Sequence, residues 1–240
     1  MPKPPEARLI AALEHVRELH EQRGAVPEMQ VALDTVATFQ SRRLGTTYAD
    51  LARRRRYAQA IEFFQTDLYG PGDFSRRDAD LARIVPTMRR VLPAGVVGIV
   101  ARAMELSALS HELDRALLDR LEFGARPTVA EYARAYRACA NRAERERQIA
   151  WIGEVGRGLD RYVRSPLLTN ALKLMRLPAR AAGLGALQRF LERGVAGFAR
   201  MHGADEFLAT IFTRETALMV AIFAGDDAPF PEPLDGVSLS

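Results

Sequence analysis

Apolar residues recur along the chain at three- and four-residue spacing and almost never in strict alternation, which predicts helices throughout. Leu9/Ile10, Leu13, Val16 and Leu19 mark a first helix from Ala7 to Arg23, ended by Gly24. Pro27 suits the first turn of a second, which carries Met29, Leu33, Val36 and Phe39 to about Arg43 and is closed by Gly45. Thr46 or Thr47 then caps a short segment containing Tyr48 and Leu51. After Ser75, the series Leu81, Ile84/Val85, Met88 and Val91/Leu92 keeps helical phase through Pro86, so a kinked helix is expected there. Pro93 opens a helix that is apolar almost all round, and Ser107 or Ser110 is placed to cap the next. Thr128 and Glu131 form a capping box that opens a long helix reaching Trp151 and Val155. Further seams run through Leu187, Phe190, Val195 and Phe198, and then through Phe207, Ile211, Leu218 and Ile222.

Tyr57 to Asp80 concentrates aromatics, helix punctuation and opposite charges, and is the stretch around which the chain is expected to organise. At 100° per residue, Tyr57, Ile61, Phe64 and Leu68 share one stripe, while Phe63 and Tyr69 fall on either side of it. A helix packed on several sides would bury all of these rings. Gly70-Pro71 ends it, and Ser75 with Asp78 supplies a start for the next. Glu62, Asp67, Asp73 and Asp78 lie near Arg76 and Arg77, either as a charged site beside the turn or as caps and surface ion pairs.

Phe63-Phe64-Gln65-Thr66-Asp67-Leu68-Tyr69 resembles a degenerate Phe-Phe-Leu-Glu-Glu-Leu-Tyr signature, and the Gly70-Pro71 and Asp73–Leu81 runs that follow are similar too. That signature names the FFLEELY-motif proteins, a family of uncharacterised bacterial proteins. The match departs at Gln65, Thr66 and Asp67, which speaks against a catalytic acidic pair. The resemblance covers roughly Tyr57 to Arg83 and implies no activity.

Composition narrows the classes. With 48% hydrophobic and 27% charged residues, the chain can bury a substantial core. The net charge of +4 is modest and arginine-borne, since Lys3 and Lys173 are the only lysines. Cys139 is the sole cysteine, which fits a reducing compartment. The longest uncharged apolar run, Val91 to Ala101, is too short for a bilayer, and the polar start is unlike a secretory signal. A cytoplasmic protein is expected.

Chemical motifs are sparse. His15, His20, His111 and His202 stand in no Glu-x-x-His or His-Glu-x-x-His arrangement; His15 and His20 sit about 140° apart on a helix, and His111 is read at a helix start. Cys139 lies on an apolar seam and is read as a small buried hydrophobe. Gly153, Gly156 and Gly158 follow a helix rather than a strand, unlike a dinucleotide loop. Arg53–Arg56 is diluted by neighbouring acids, so no specific nucleic-acid partner is expected. The basic amphipathic segment 167–200, with Leu168, Leu172, Met175 and Leu187, is read as core packing in preference to peripheral membrane contact.

These readings predict an all-α single domain over residues 1–225, of roughly nine or ten helices in orthogonal or bundle-like packing. A Pro- and acid-containing tail at 226–240 follows, which Phe230 can anchor. No catalytic residue, metal site or cofactor is assigned. The candidate binding residues are Glu62, Phe63, Asp67, Tyr69, Asp73, Arg76, Arg77 and Asp78. A non-enzymatic interaction or regulatory protein that binds another protein, or itself, is the expected function. The alternatives are a helical protein with an apolar pocket for a small molecule or lipid, and an enzyme using the acids and arginines of residues 62–80.

Overall fold

A computed structural model describes residues 3–68, 74–121, 126–165, 170 and 172–232. All regular structure among them is helical. In chain order the helices are α1 (Pro5–Gly24), α2 (Pro27–Thr47), α3 (Ala49–Ala52), α4 (Ala58–Phe63), α5 (Ser75–Val91), α6 (Ala94–Leu118), α7 (Val129–Ala138), α8 (Arg142–Val163), α9 (Arg176–Ala181), α10 (Gly185–Arg200) and α11 (Asp205–Phe223). A π-helical turn, Phe64–Leu68, continues α4.

Three apolar clusters hold the domain together. The first joins Val36 and Phe39 of α2, Leu117 and Leu118 of α6, Tyr132 and Tyr136 of α7, and Met219 and Ile222 of α11. The second packs Leu9, Leu13 and Val16 of α1 on Leu81, Val85 and Met88 of α5 and on Val97, Ala101 and Met104 of α6. The third gathers Tyr57, Ile61, Phe198, Met201, Phe207 and Ile211.

The helix α6 contributes to two of these clusters and packs on α1, α2, α5, α7 and α8. The centre of the fold is therefore α6, and of the Tyr57–Asp80 stretch it is Tyr57, Ala60, Ile61 and Phe64 that serve the third cluster. Helix α6 owes its placement to a long apolar series, Val97, Ala101, Met104, Ala108, Leu109, Leu113 and Leu117, which is buried along the whole helix. It is apolar all round only in its first turns, before Arg102 and Glu105. It runs unbroken through Ser107 and Ser110, so neither serine caps a new helix.

Other expected boundaries shift as well. Gly45 does not close α2, which runs on to Thr47, and Tyr48 stands before α3 in place of a Thr46 or Thr47 cap. The long helix predicted from Thr128 breaks at Cys139–Asn141, where Ala140 takes φ 52°. A left-handed residue normally betrays itself as glycine, and here it is alanine, which hides the break. Ser75 is the first residue of α5 and not its cap, since Phe74 holds that position without a side-chain hydrogen bond. The capping box of α7 stands as expected: Glu131 N donates to Thr128 Oγ1, and Thr128 N donates to Glu131 Oε2 at 2.8 Å. The helix α5 also continues through Pro86.

The π turn sends Phe63 and Phe64 into different contacts. Phe63 stacks near Phe190 with ring centroids 5.3 Å apart, while Phe64 meets Phe198 and Phe207 at 6.3 and 5.8 Å. Close approach of α10 to α4 needs glycine. A Cβ on Gly197 would lie 3.3 Å from Ala60 Cα, and one on Gly194 would lie 3.0 Å from the Phe63 ring. Beyond α11, residues 226–232 fold back over α7. Phe230 packs on Phe39 and Tyr132, Asp227 pairs with Arg137 at 2.8 Å, and Glu232 accepts from Val129 N. The remainder of the expected tail lies outside the described residues.

Candidate groove between α1 and α5

The helices α1 and α5 pack along their apolar seams and leave an open groove of about 810 Å³ on one side of the seam. Ile10, Leu13, Ala79, Ala82, Val85 and Pro86 give it an apolar bed. Its rim carries both signs of charge, with Glu6, Glu14 and Glu21 opposed to Arg17, Arg23, Arg76 and Arg89. Glu6 of α1 and Arg89 of α5 close one edge with a 2.9 Å ion pair.

A buried polar pair forms part of its wall. His20 Nε2 lies 3.1 Å from Asp78 Oδ2, and the two side chains are only 10% and 6% exposed. Arg77 Nε donates to the other carboxylate oxygen at 2.9 Å. Burial pushes the Asp78 carboxyl up, but the His20 hydrogen bond and the Arg77 charge outweigh it and hold it below the ordinary carboxylate range. An ionised Asp78 only accepts, so the His20 Nε2–H donates. Behind His20 stands His111 of α6, edge-on with ring centroids 5.1 Å apart. Its neighbours are His20 and Arg23 from α1, and Arg77 and Asp78 from α5. Burial first, and then the electrostatic influence of the neighbouring His20 and Arg23, lowers His111 to about 4.

That depression has a sign that can be tested. The folded state resists protonating His111 while the unfolded chain protonates near the ordinary 6.5. The stability contribution is therefore complete above pH 6.5 and drains away as pH falls towards 4. Such a depression corresponds to an upper bound of roughly 3.4 kcal/mol. Urea unfolding of the wild type and of His111→Gln should show the wild type losing more stability across this window. Parallel pH profiles would contradict the assignment.

The sequence-predicted site residues separate into groups. Arg76 and Asp78 face the groove. Arg77 is sandwiched between Phe74 and Phe190 at 4.5 Å from each ring, and its Nη1 donates to the Asp67 carbonyl at 2.9 Å. Glu62 and Asp67 converge elsewhere, on Arg193 of α10, at 3.3 and 3.0 Å. Phe63 is buried among aromatic neighbours. Tyr69 and Asp73 lie outside the described residues. Asp78 is no capping-box residue, because its carboxylate turns to His20 and Arg77. His20 and His111 were not singled out by sequence. They sit on different helices, and His111 lies within α6 and not at a helix start.

Other sequence features find structural roles. Arg54 pairs with Glu206 at 2.6 Å, and Arg56 donates to the Met201 and Gly203 carbonyls, so these two members of the basic run tie the α3–α4 connection to the α10–α11 turn and the start of α11. The Cys139 thiol donates to backbone carbonyls, and burial raises its pKa. The expected core face of residues 167–200 holds only in part. Leu187 is buried, but Met175 is 47% exposed and Leu168 lies outside the described residues. The short α9 presents one buried residue, Ala179, too little to pull Met175 inward. Among the described residues, no three His, Cys, Asp or Glu side chains cluster as metal ligands, and no helix is long and apolar enough to cross a membrane.

A fully helical domain with an open amphipathic groove between its first and fifth helices defines the class of the molecule. The chain belongs to a family of unknown function: the model of the Domain of unknown function (DUF8198) matches residues 19–229. The match takes in His20, Asp78, His111 and all of α5, while most of α1 precedes it. No curated protein and no solved structure matches the chain.

Proposed function

We propose that the protein is a non-enzymatic cytoplasmic interaction protein whose α1–α5 groove receives an amphipathic helix of a protein partner, a second copy of this chain included. The observation that carries this reading is the groove itself. It has an apolar bed, rims of both signs and a volume of about 810 Å³. It lies along α5, whose 17 residues span about 25 Å, the length of a four- to five-turn helix. Such a helix would lay its apolar stripe on Ile10 and Val85 and its charges on the two rims.

A binding role fits the His20–Asp78 pair better than a catalytic one. Both carboxylate oxygens of Asp78 are engaged by the protein, and the pair is nearly sealed from solvent. The engagement of Arg54 and Arg56 by Glu206 and by backbone carbonyls supports a reading without a nucleic-acid partner. The lone cysteine supports a reducing compartment. The Phe63–Tyr69 resemblance supports membership among the FFLEELY-motif proteins.

Photo-crosslinking in the host tests the proposal. A benzophenone side chain at Ile10, 41% exposed in the groove, should capture one protein species, identified by mass spectrometry. The same probe at Val31 on α2, 67% exposed and outside the groove, should not. Equal capture from both positions would overturn the proposal.

A further inference from the structure

A second cavity, of about 70 Å³, shares no lining residue with the groove. It lies where α2, the π turn, α7, α8 and α11 meet. Two of its lining side chains are arginines, Arg43 and Arg145, only 6% and 3% exposed. Ionised guanidinium groups are seldom buried without matching acceptors.

The acceptors here fall short. Arg43 Nη1 donates to Glu215 Oε1 at 2.8 Å, and the Tyr48 hydroxyl donates to the same oxygen at 2.7 Å. Arg145 lies over the Tyr136 ring at 4.2 Å and reaches the Leu113 carbonyl at 3.4 Å. The Nε–H of each arginine is buried and has no acceptor among the described residues. Glu215 is thus the one carboxylate hydrogen-bonded to this pair. The other nearby acid, Asp114, takes its hydrogen bond from Gln40 at 2.6 Å, and burial drives it towards its neutral form. Two buried guanidinium groups thus share one hydrogen-bonded carboxylate among the described residues, and each keeps an Nε–H without an acceptor there.

We propose that this cavity binds a small monocarboxylate, held by the guanidinium groups of Arg43 and Arg145. Planar carboxylates match the donor fork of arginine, which Glu215 fills at one nitrogen of Arg43 only. Size agrees, since about 70 Å³ holds roughly two waters or one acetate or propionate. The remaining lining includes Ile61, Phe64, Ile152 and Ile211, which suits a methyl or ethyl group.

The test uses the full chain with sodium acetate and sodium propionate, against sodium chloride at matched ionic strength. Expected is a saturable rise in Tm with a millimolar midpoint for the carboxylates, and no saturable rise for chloride. Nuclear Overhauser transfer from the ligand methyl should reach Ile61, Ile152 and the Tyr136 ring in the wild type. Arg145→Gln should abolish the Tm response, or, where that variant fails to fold, the wild-type transfer pattern decides. A response equal for chloride, transfer to residues elsewhere, or an undiminished response in a folded Arg145→Gln protein would overturn the proposal. So would the absence of any saturable response, which would leave the cavity to water.

Discussion

Phe207→Ala should lower the unfolding free energy by about 3–5 kcal/mol, the usual cost of removing a core phenylalanine. Phe207 is fully buried, and its ring lies 5.5 Å from Tyr57 and 5.8 Å from Phe64. The loss would open a cavity where α4, α10 and α11 converge, a junction whose helix spacing is already set by Gly194 and Gly197. Phe64→Ala should cost less, because Phe64 is only partly buried. Urea denaturation gives both numbers. A Phe207→Ala change below about 1 kcal/mol would mean that the third cluster contributes little to the fold.

Glu215→Ala should be as damaging, through charge and not volume. It strips Arg43 of its carboxylate partner at a position that is 6% exposed, and an unpaired buried charge of this kind costs about 3–5 kcal/mol. It also removes the acceptor of the Tyr48 hydroxyl. The double variant Arg43→Met/Glu215→Leu should recover much of the loss, because the buried pair repays its own desolvation poorly. Asp67→Ala offers the contrast. Its partner Arg193 is 44% exposed, so the change should be about 0.5 kcal/mol or less. Chemical unfolding of the three variants separates the cases. Equal small effects for Glu215 and Asp67 would deny the buried pair its structural role.

The helical fold was legible because each element writes its own period. Leu9, Leu13 and Val16 face α5 and α6 as their spacing requires, and Thr128 with Glu131 announces the start of α7. Boundaries were readable at Gly24, at Pro27 and at the Thr128 capping box, whereas Gly45 lies within α2, close against the Gln65 side chain. They were missed where the mark was absent, as at Ala140, or where Ser107 and Ser110 offered a cap that the continuous α6 never uses.

The groove was half legible. Arg76 and Asp78 stood out by charge beside a turn, but neighbours in sequence point around a helix, so Arg77 went to Phe74 and Phe190. His20 meets Asp78 across 58 residues, and His111 joins them from α6. No local spacing encodes such a meeting; only the packing of α1 on α5 and α6 creates it. The same holds for Arg43 and Glu215, which pair across 172 residues.

The partner is expected to bind in the α1–α5 groove. Ala82 is an exposed residue of the groove bed, so Ala82→Trp fills the groove with little change in stability, within about 0.5 kcal/mol. The decisive measurement is the affinity of the Ile10-captured partner for wild type and for Ala82→Trp, both confirmed folded by circular dichroism. Binding should fall at least about tenfold, the cost of losing roughly 1.4 kcal/mol of contact. An Ala82→Trp protein that binds as tightly as wild type would contradict it.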